Sequence, residues 1–403
     1  MKLDEKKMVL SETAAQNLTQ AHPAAVAAVL DKSLPHVIGV GAGIKWKNGV
    51  PTGEPALVVL VTHKVPKSEL SKASLIPTAV QGLKTDVLAV GHIFAMDDTD
   101  PVVEDDTDPV VEDDTDPVVE DDTDPVVEDD TDPVVEDDTD PVVEDDTDPV
   151  VEAARQYLRR NKRRVNRVRP ICGGLSVGYR KLTAGTIGAC VYDLLPGASF
   201  DPPQPGTGFP KRYYILSNNH VLAYSNAGHL GASILQPAAK DGGRLPQDRI
   251  GYLRRYVPID LAPAVPLEQH NNLVDAALAE VPFHLADRSI KWIGDLRGWR
   301  RKADVKVGTL VKKTGRSTKL TTGRIIVVNA TLDVNYRNGR KARFKEQILT
   351  TNMSAAGDSG ALITTLDNVA VGLLFAGSTE VTVANQIENV RSLLRVEIAE
   401  QVL

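Results

Sequence analysis

The sequence predicts a mainly β protein that opens with a small α+β unit and carries an acidic repeat tract between the two. Three observations lead there. Beyond residue 170 the chain is a succession of short runs such as Tyr213-Tyr-Ile-Leu-Ser217 and Ala370-Val-Gly-Leu-Leu-Phe375, punctuated by Gly and Pro, with one modest helical stretch near residues 385–394. Before residue 97, a helical pattern precedes three strand-like runs. Between them one octapeptide repeats without change. At 403 residues, 42% of them apolar, the chain can fill two cores. The expected organisation is an α+β domain over 1–96, repeats over 97–152, a basic linker or helix over 153–169, and a β domain over 170–403.

In the first unit, Ser11-Glu-Thr-Ala14 opens an Ala-rich stretch toward Leu30 that Pro23 interrupts, so one kinked helix or two short ones are expected. Val37-Ile-Gly-Val-Gly-Ala-Gly-Ile44, Ala56-Leu-Val-Val-Leu-Val-Thr62 and Thr85-Asp-Val-Leu-Ala-Val90 read as strands, with a turn at Lys47-Asn-Gly49. The Gly-x-Gly-x-Gly run lacks the third glycine at nucleotide-fingerprint spacing and a helix directly after it, which favours hairpin or bulge glycines.

Asp-Asp-Thr-Asp-Pro-Val-Val-Glu occurs seven times from Asp97 to Glu152. The tract holds 28 negative charges within a net charge of −8, so the rest of the chain carries +20. Residues 155–169 follow with eight basic side chains. A proline every eight residues prevents one continuous helix, and two valines per repeat form a thin apolar stripe. Charge density favours an extended spacer, while an ordered array and a cation site stay open. The acidic arm beside a basic body is expected to act as a salt-sensitive latch or assembly strap, or else as a plain tether.

Chemistry concentrates at Gly357-Asp358-Ser359-Gly360 and at His220, in Leu216-Ser-Asn-Asn-His-Val-Leu222. A serine hydroxyl at its ordinary pKa is a poor nucleophile; it needs a base, a group orienting that base, and donors aimed at the developing oxyanion. Glycines flanking Asp358-Ser359 permit a tight turn in which the Gly357 and Ser359 N–H groups form an oxyanion hole. Ser359 is the expected nucleophile and His220 the general base. The run 213–217 is expected to hold the imidazole on a rigid strand. Two acids are candidates for the orienter. Asp275 opens an apolar run suited to a core strand, and Asp260 lies among prolines in Pro258-Ile-Asp-Leu-Ala-Pro263. The other histidines (His22, His36, His63, His92, His229, His270, His284) have no comparable setting and read as structural or surface residues.

These residues resemble the chymotrypsin-like (trypsin-fold) serine proteases, in the chain order His, Asp, Ser. Four blocks narrow the resemblance: Ile215-Leu-Ser-Asn-Asn-His-Val-Leu-Ala223, Val274-Asp-Ala-Ala-Leu-Ala279, Lys313-Thr-Gly-Arg-Ser-Thr-Lys-Leu-Thr-Thr-Gly323 and Val371-Gly-Leu-Leu-Phe-Ala-Gly-Ser378. Over residues 170–398 the chain looks like the bacterial and plant trypsin-like proteins related to the plant narrow-leaf protein. The resemblance implies a chymotrypsin-like double β-barrel with the catalytic groups between barrels, and it assigns the triad acid to Asp275. It also implies a substrate pocket with its base near Met353 and its wall at Phe375, Ala376 and Gly377, which suits small or medium apolar side chains. Asp358 is expected to have a structural task, pairing with a cation or backbone donors that hold the oxyanion turn open. In zymogen-activated relatives that partner is an amine freed by cleavage. The apolar start such a terminus needs is not evident here, so an internal partner is expected.

No signal peptide is visible at Met1-Lys-Leu-Asp-Glu-Lys-Lys7, and the apolar runs are too short to span a bilayer. Two cysteines, Cys172 and Cys190, suggest free thiols in a reducing, cytoplasmic compartment, with one strand-to-strand disulfide left open. No cofactor and no metal site are expected. The function expected is a serine endopeptidase acting on protein or peptide substrates, regulated or assembled through its repeats, with homo-oligomers left open. The alternative is a catalytically silent protease-fold scaffold. Residues 155–169 lack the aromatic platform or recognised module that nucleic-acid binding calls for.

Overall fold

The computed structural model describes residues 5–47, 50–95, 166–180 and 183–403. The repeat tract, the turn residues 48–49 and most of the basic segment lie outside the described residues, and with them the expectations for a spacer, array, cation site, latch or strap. The described chain is mainly β. It forms an eight-stranded and a twelve-stranded sheet plus two small two-stranded ones.

The Ala-rich stretch forms α1 (Glu12–Ala25), capped by Ser11, whose hydroxyl accepts the Ala14 N–H at 3.2 Å. Pro23 sits inside its last turn, and the helix runs on into a π-helical turn, Val26–Leu30, closed by Asp31 N–H on the Val26 carbonyl at 3.0 Å. Strands β1 (Val37–Lys47), β2 (Val50–Val61) and β3 (Leu83–Ala89) follow, β1 antiparallel to β2 and β2 parallel to β3. α1 packs across them through Leu18, Ala21 and Ala25 onto Val40, Leu57 and Val59. A two-residue strand β4 (Phe94–Ala95) ends this part of the described chain.

In the C-terminal half, β5 (Gly185–Thr186), β6 (Ala189–Asp193), β7 (Tyr213–Ser217), β8 (Arg249–Tyr256) and β9 (Ala277–Val281) belong to the eight-stranded sheet, with β7 between β6 and β9. The twelve-stranded sheet holds β10 (Leu310–Gly315), β11 (Lys319–Asn335), β12 (Lys341–Thr351), β13 (Leu362–Thr365), β14 (Val369–Gly377) and β15 (Val381–Gln386). Their pairing order is β10-β13-β14-β15-β12-β11, and β11 pairs back onto β10, so these six strands close on themselves. The same sheet continues from β11 into β1, with Gly39 opposite Leu332 and Gly43 opposite Val327.

That junction explains the glycine run. A Cβ on Gly41 would stand 2.4 Å from Val327 Cγ1, and one on Gly39 2.7 Å from Leu332 Cβ. β1 shifts register against β11 between Val40 and Ala42, as at a bulge. Close strand approach accounts for these glycines.

A buried cluster joins the two large sheets: Val191, Tyr214 and Leu216 from one meet Leu362 and Leu373 from the other, together with Trp299 and Val390 of a C-terminal helix, α3 (Ile387–Leu394).

Cys172 and Cys190 are both unbonded and buried. Burial, with Cys172 and Asp287 adding, pushes the Cys190 thiol up to about 12. Two outcomes follow. The native protein leaves Cys190 unlabelled by a thiol-reactive reagent at neutral pH, whereas the denatured chain exposes both thiols; a titration before and after denaturant checks this. The stability gained by keeping this thiol neutral is present below its ordinary value of 9.0 and falls as pH rises from there toward 12.

Candidate active site

His220 does not extend β7. It sits on a single helical turn, α2 (Asn219–Leu222), three residues beyond the strand's end. The two asparagines ahead of it lock that turn. Asn218 Nδ2 donates to the Asp275 carbonyl at 2.7 Å, and Asn219 Nδ2 donates to the Val257 carbonyl and to Asn226 Oδ1, both at 2.7 Å. The ring is therefore held by its own backbone and by two neighbouring loops.

Asp275 stands two residues before β9, fully buried, and its carboxylate accepts three hydrogen bonds. His220 Nδ1 approaches Oδ2 at 2.6 Å, the His220 N–H donates to Oδ1 at 3.1 Å, and the Tyr336 hydroxyl donates to Oδ2 at 2.7 Å. The Asp275 N–H donates in turn to Asn385 Oδ1 at 3.0 Å. With the Nδ1 proton turned to a carboxylate, Nε2 is the nitrogen that takes up a second proton. The other candidate acid, Asp260, is half-buried and accepts the Asn271 N–H at 3.3 Å.

Ser359 is brought to the His220 segment by β5, which runs between them. The Thr186 N–H donates to the Ser359 carbonyl at 2.7 Å, and Thr186 Oγ1 donates to the Gly357 carbonyl at 2.9 Å. On the other side, Ser217 Oγ donates to the Thr186 carbonyl at 2.7 Å. A Cβ on Gly185 would lie 2.6 Å from Val221 Cγ2 and 2.9 Å from the Ser359 carbonyl oxygen, so the two loops are one glycine apart. Gly357 and Gly360 have φ of +92° and +93°, a region that disfavours side chains, and a Cβ on Gly360 would strike Ser217 Oγ at 2.1 Å. Pinning the Gly357 and Ser359 carbonyls fixes the 357–358 and 359–360 peptide planes, and the Ala356 carbonyl, whose plane carries the Gly357 N–H, accepts from Ser317 Oγ at 2.6 Å.

Asp358 is filled from within the fold. Lys313 Nζ donates to Oδ2 at 2.9 Å, with both side chains fully buried. The N–H groups of Ser317 (2.8 Å) and Thr318 (3.1 Å) donate to Oδ1, and the Ala355 N–H to Oδ2 at 3.1 Å. Thr318 Oγ1 donates to Oδ2 as well. Gly315 is needed for this wrap, since a Cβ there would meet Asp358 Oδ1 at 2.2 Å. Burial pulls the Lys313 ammonium below its ordinary value against the opposing pull of Asp358.

The expected pocket residues divide. Met353 is buried in a cluster with Val305, Val311 and Ile363, and its N–H donates to Thr382 Oγ1 at 3.1 Å. Phe375 and Ala376 belong to a different cluster with Phe344 and Val383, the Phe344 and Phe375 rings 4.7 Å apart. Gly377 is buried at the end of β14. Met353 and Phe375 are thus not brought together in one cluster. Beside Met353, Ser354 Oγ and Thr382 Oγ1 form a buried polar pair at 2.6 Å.

Sequence reading missed Tyr336, Asn385, Thr186 and the role of Lys313. Lys313 had only a weak signal, one of two adjacent lysines in the strand Leu310–Gly315 and two residues before Gly315. Tyr336 had none, because it reaches Asp275 only through the fold.

Among the described residues no cluster of three or more His, Cys, Asp or Glu is placed to hold a metal, and no helix is long and apolar enough to cross a membrane. No family profile and no curated protein matches the chain. Among solved structures the chain is similar to a glutamic-acid-specific serine protease (18% identity, TM-score 0.39, covering 57% of this chain and 100% of that one). It is also similar to Thermobifida fusca Protease A (15%, 0.36, 56% and 97%) and to Cellulomonas bogoriensis chymotrypsin (15%, 0.35, 57% and 99%). These neighbours are chymotrypsin-fold serine proteases, at low identity and low TM-score.

Proposed function

We propose that the chain is a serine endopeptidase in which Ser359 is the nucleophile, His220 the general base and then acid, and Asp275 the group that orients the imidazole and stabilises its cation. The observation that carries this reading is the buried His220 Nδ1–Asp275 Oδ2 contact, one strand away from a Gly-Asp-Ser-Gly turn whose carbonyls are pinned by Thr186. Ser359 Oγ passes its proton to His220 Nε2 as it attacks a peptide carbonyl. The Gly357 and Ser359 N–H groups receive the oxyanion, and the imidazolium returns the proton to the leaving amine. Asp358 keeps the turn in its open shape through Lys313 in place of a freed N-terminus. Phe375, Ala376 and Gly377 form the wall of a cleft for extended peptides with small or medium apolar side chains. The protease part spans residues 170–403 as a double β-barrel of the narrow-leaf-related type, preceded by units at 1–96, 97–152 and 153–169.

A fluorophosphonate probe tests the proposal directly. Stoichiometric labelling of the parent chain, lost in Ser359→Ala, is the expected result; an unlabelled parent would leave the silent-scaffold alternative. The acid is tested separately. Asp275→Asn lowers kcat by roughly three to four orders of magnitude, because the imidazole loses its tautomer and its counter-charge. Asp260→Asn changes kcat less than about twofold, within the small effects usual for a half-exposed surface acid. A reversed pattern in steady-state kinetics would move the assignment to Asp260.

A further inference from the structure

β14 runs alongside the serine turn. Ser359 Oγ lies 3.5 Å from the Phe375 carbonyl, and the Gly360 N–H donates to the Leu374 carbonyl at 2.8 Å. One edge of β14 pairs with β15 as far as Gly377 opposite Thr382. The other edge pairs with β13 only up to Leu373 opposite Leu362. Past that point, at the level of the serine and outward, an extended polypeptide gains main-chain hydrogen bonds by adding to this edge as a strand.

The chain's own β4 lies there. Gly377 is opposite Phe94 and Ala376 is opposite Ala95, antiparallel. Proceeding from Gly377 to Ala376 leads toward Phe375 and the serine; the partner strand over the same step proceeds from Phe94 to Ala95. β4 therefore runs N- to C-terminal toward Ser359, the direction required of residues that precede a scissile carbonyl.

The approach to β4 is anchored as firmly as a bound ligand. The Ile93 carbonyl accepts both the backbone N–H and Nδ2 of Asn335, each at 2.9 Å. Ile93 itself is fully buried against Phe344, Phe375 and Ala376. Ser378 Oγ donates to the Val90 carbonyl at 2.6 Å, and Gly91, at φ +68°, bends the chain between these points. Asn335 is followed by Tyr336, which holds Asp275, so the segment is wedged between the acid's support and the strand that leads from the serine. Phe94 and Ala95 pair with β14 on one side, and Phe94 lies opposite Asn335 of β11 on the other, while Phe94 keeps 54% of its surface exposed.

We propose that residues 93–95 are an intramolecular peptide occupying the strand-pairing edge beside Ser359, so that an external polypeptide docks only after displacing them. This rests on the proteolytic reading, and it places control at substrate docking and leaves the triad assembled. A tethered occupant competes at an effective concentration of about millimolar. It blocks long extended substrates while a small electrophile still reaches the serine.

The test uses the full chain carrying Phe94→Pro and Ala95→Pro. Proline donates no ladder hydrogen bond, so whichever of the two N–H groups faces β14 is lost, while Ile93 and its anchors stay. The probe is a fluorescent Gly-His-Ile-Phe-Ala peptide, the sequence of residues 91–95, followed by anisotropy in a Ser359→Ala background. The proline variant is expected to bind it at least tenfold more tightly than the parent. The milder pair Phe94→Gly and Ala95→Gly, which makes ordering the strand costlier, should shift affinity in the same direction by a few-fold, and it guards against a folding defect in the first. Equal affinity in parent and both variants, or no binding to any of them, overturns the proposal. Fluorophosphonate labelling of the serine-intact forms separates the two readings. Equal labelling in parent and variants is expected, and its absence from all would defeat the proteolytic reading while the anisotropy result still decides whether β4 occupies a peptide-binding edge.

Discussion

Ser359→Ala or His220→Ala lowers kcat/KM for a peptide substrate by about three orders of magnitude or more, which is roughly 4 kcal/mol of transition-state stabilisation. The loss is large because the two groups act as one unit. Without the imidazole the hydroxyl keeps its proton, and without the hydroxyl the base serves only water. The double variant is expected to lose little more than either single one, since removing one member already disables the other. What remains is catalysis by the oxyanion donors and by binding. Steady-state kinetics on purified variants, with unchanged thermal unfolding as a folding control, measure this. Near-full turnover by Ser359→Ala would remove the serine from the mechanism.

Lys313→Met destabilises the protein by about 3–5 kcal/mol, the cost of leaving one partner of a buried ion pair uncompensated. Asp358 would keep the Ser317, Thr318 and Ala355 N–H groups and the Thr318 hydroxyl, but its charge would face no cation in a fully buried site. Replacing both partners with apolar residues does not rescue stability here, as it can for simpler pairs. Three backbone N–H groups converge on Asp358, and an apolar side chain would orphan them at about 1–3 kcal/mol each. Because those donors hold the turn proposed to receive the oxyanion, the variant that still folds should also show a lower kcat at nearly unchanged KM. Denaturant unfolding and kinetics on the same samples read both effects. The same wiring predicts that the uncut chain is active. Activity appearing only after cleavage within residues 153–172 would mean that Lys313 does not do the work of an N-terminal amine.

How much of this was legible from the sequence depends on the range over which each residue acts. The strand runs at 37–44, 56–62 and 213–217 and the helix begun at Ser11 could be read because periodicity, capping and glycine spacing are local properties. His220, Asp275 and Ser359 stood out because the chemistry of an activated hydroxyl demands those residue types, each in a recognisable local setting. The choice between Asp275 and Asp260 could not be made from local setting alone. Both precede apolar residues, and the contact to His220 Nδ1 exists only once β9 lies beside β7. Tyr336 was invisible for the same reason: it is 61 residues from the carboxylate it holds. The glycine run of β1 showed a need for closeness without saying to what, and the answer, β11, lies nearly 300 residues away. β4 is the extreme case. Its two residues carry no pattern, and their position on the β14 edge comes from pairing with strands more than 200 residues away. Sequence determines which groups can do chemistry, through their types and local geometry. Which of them meet, and which segment lies on the β14 edge, is decided by long-range strand pairing, which no local property encodes.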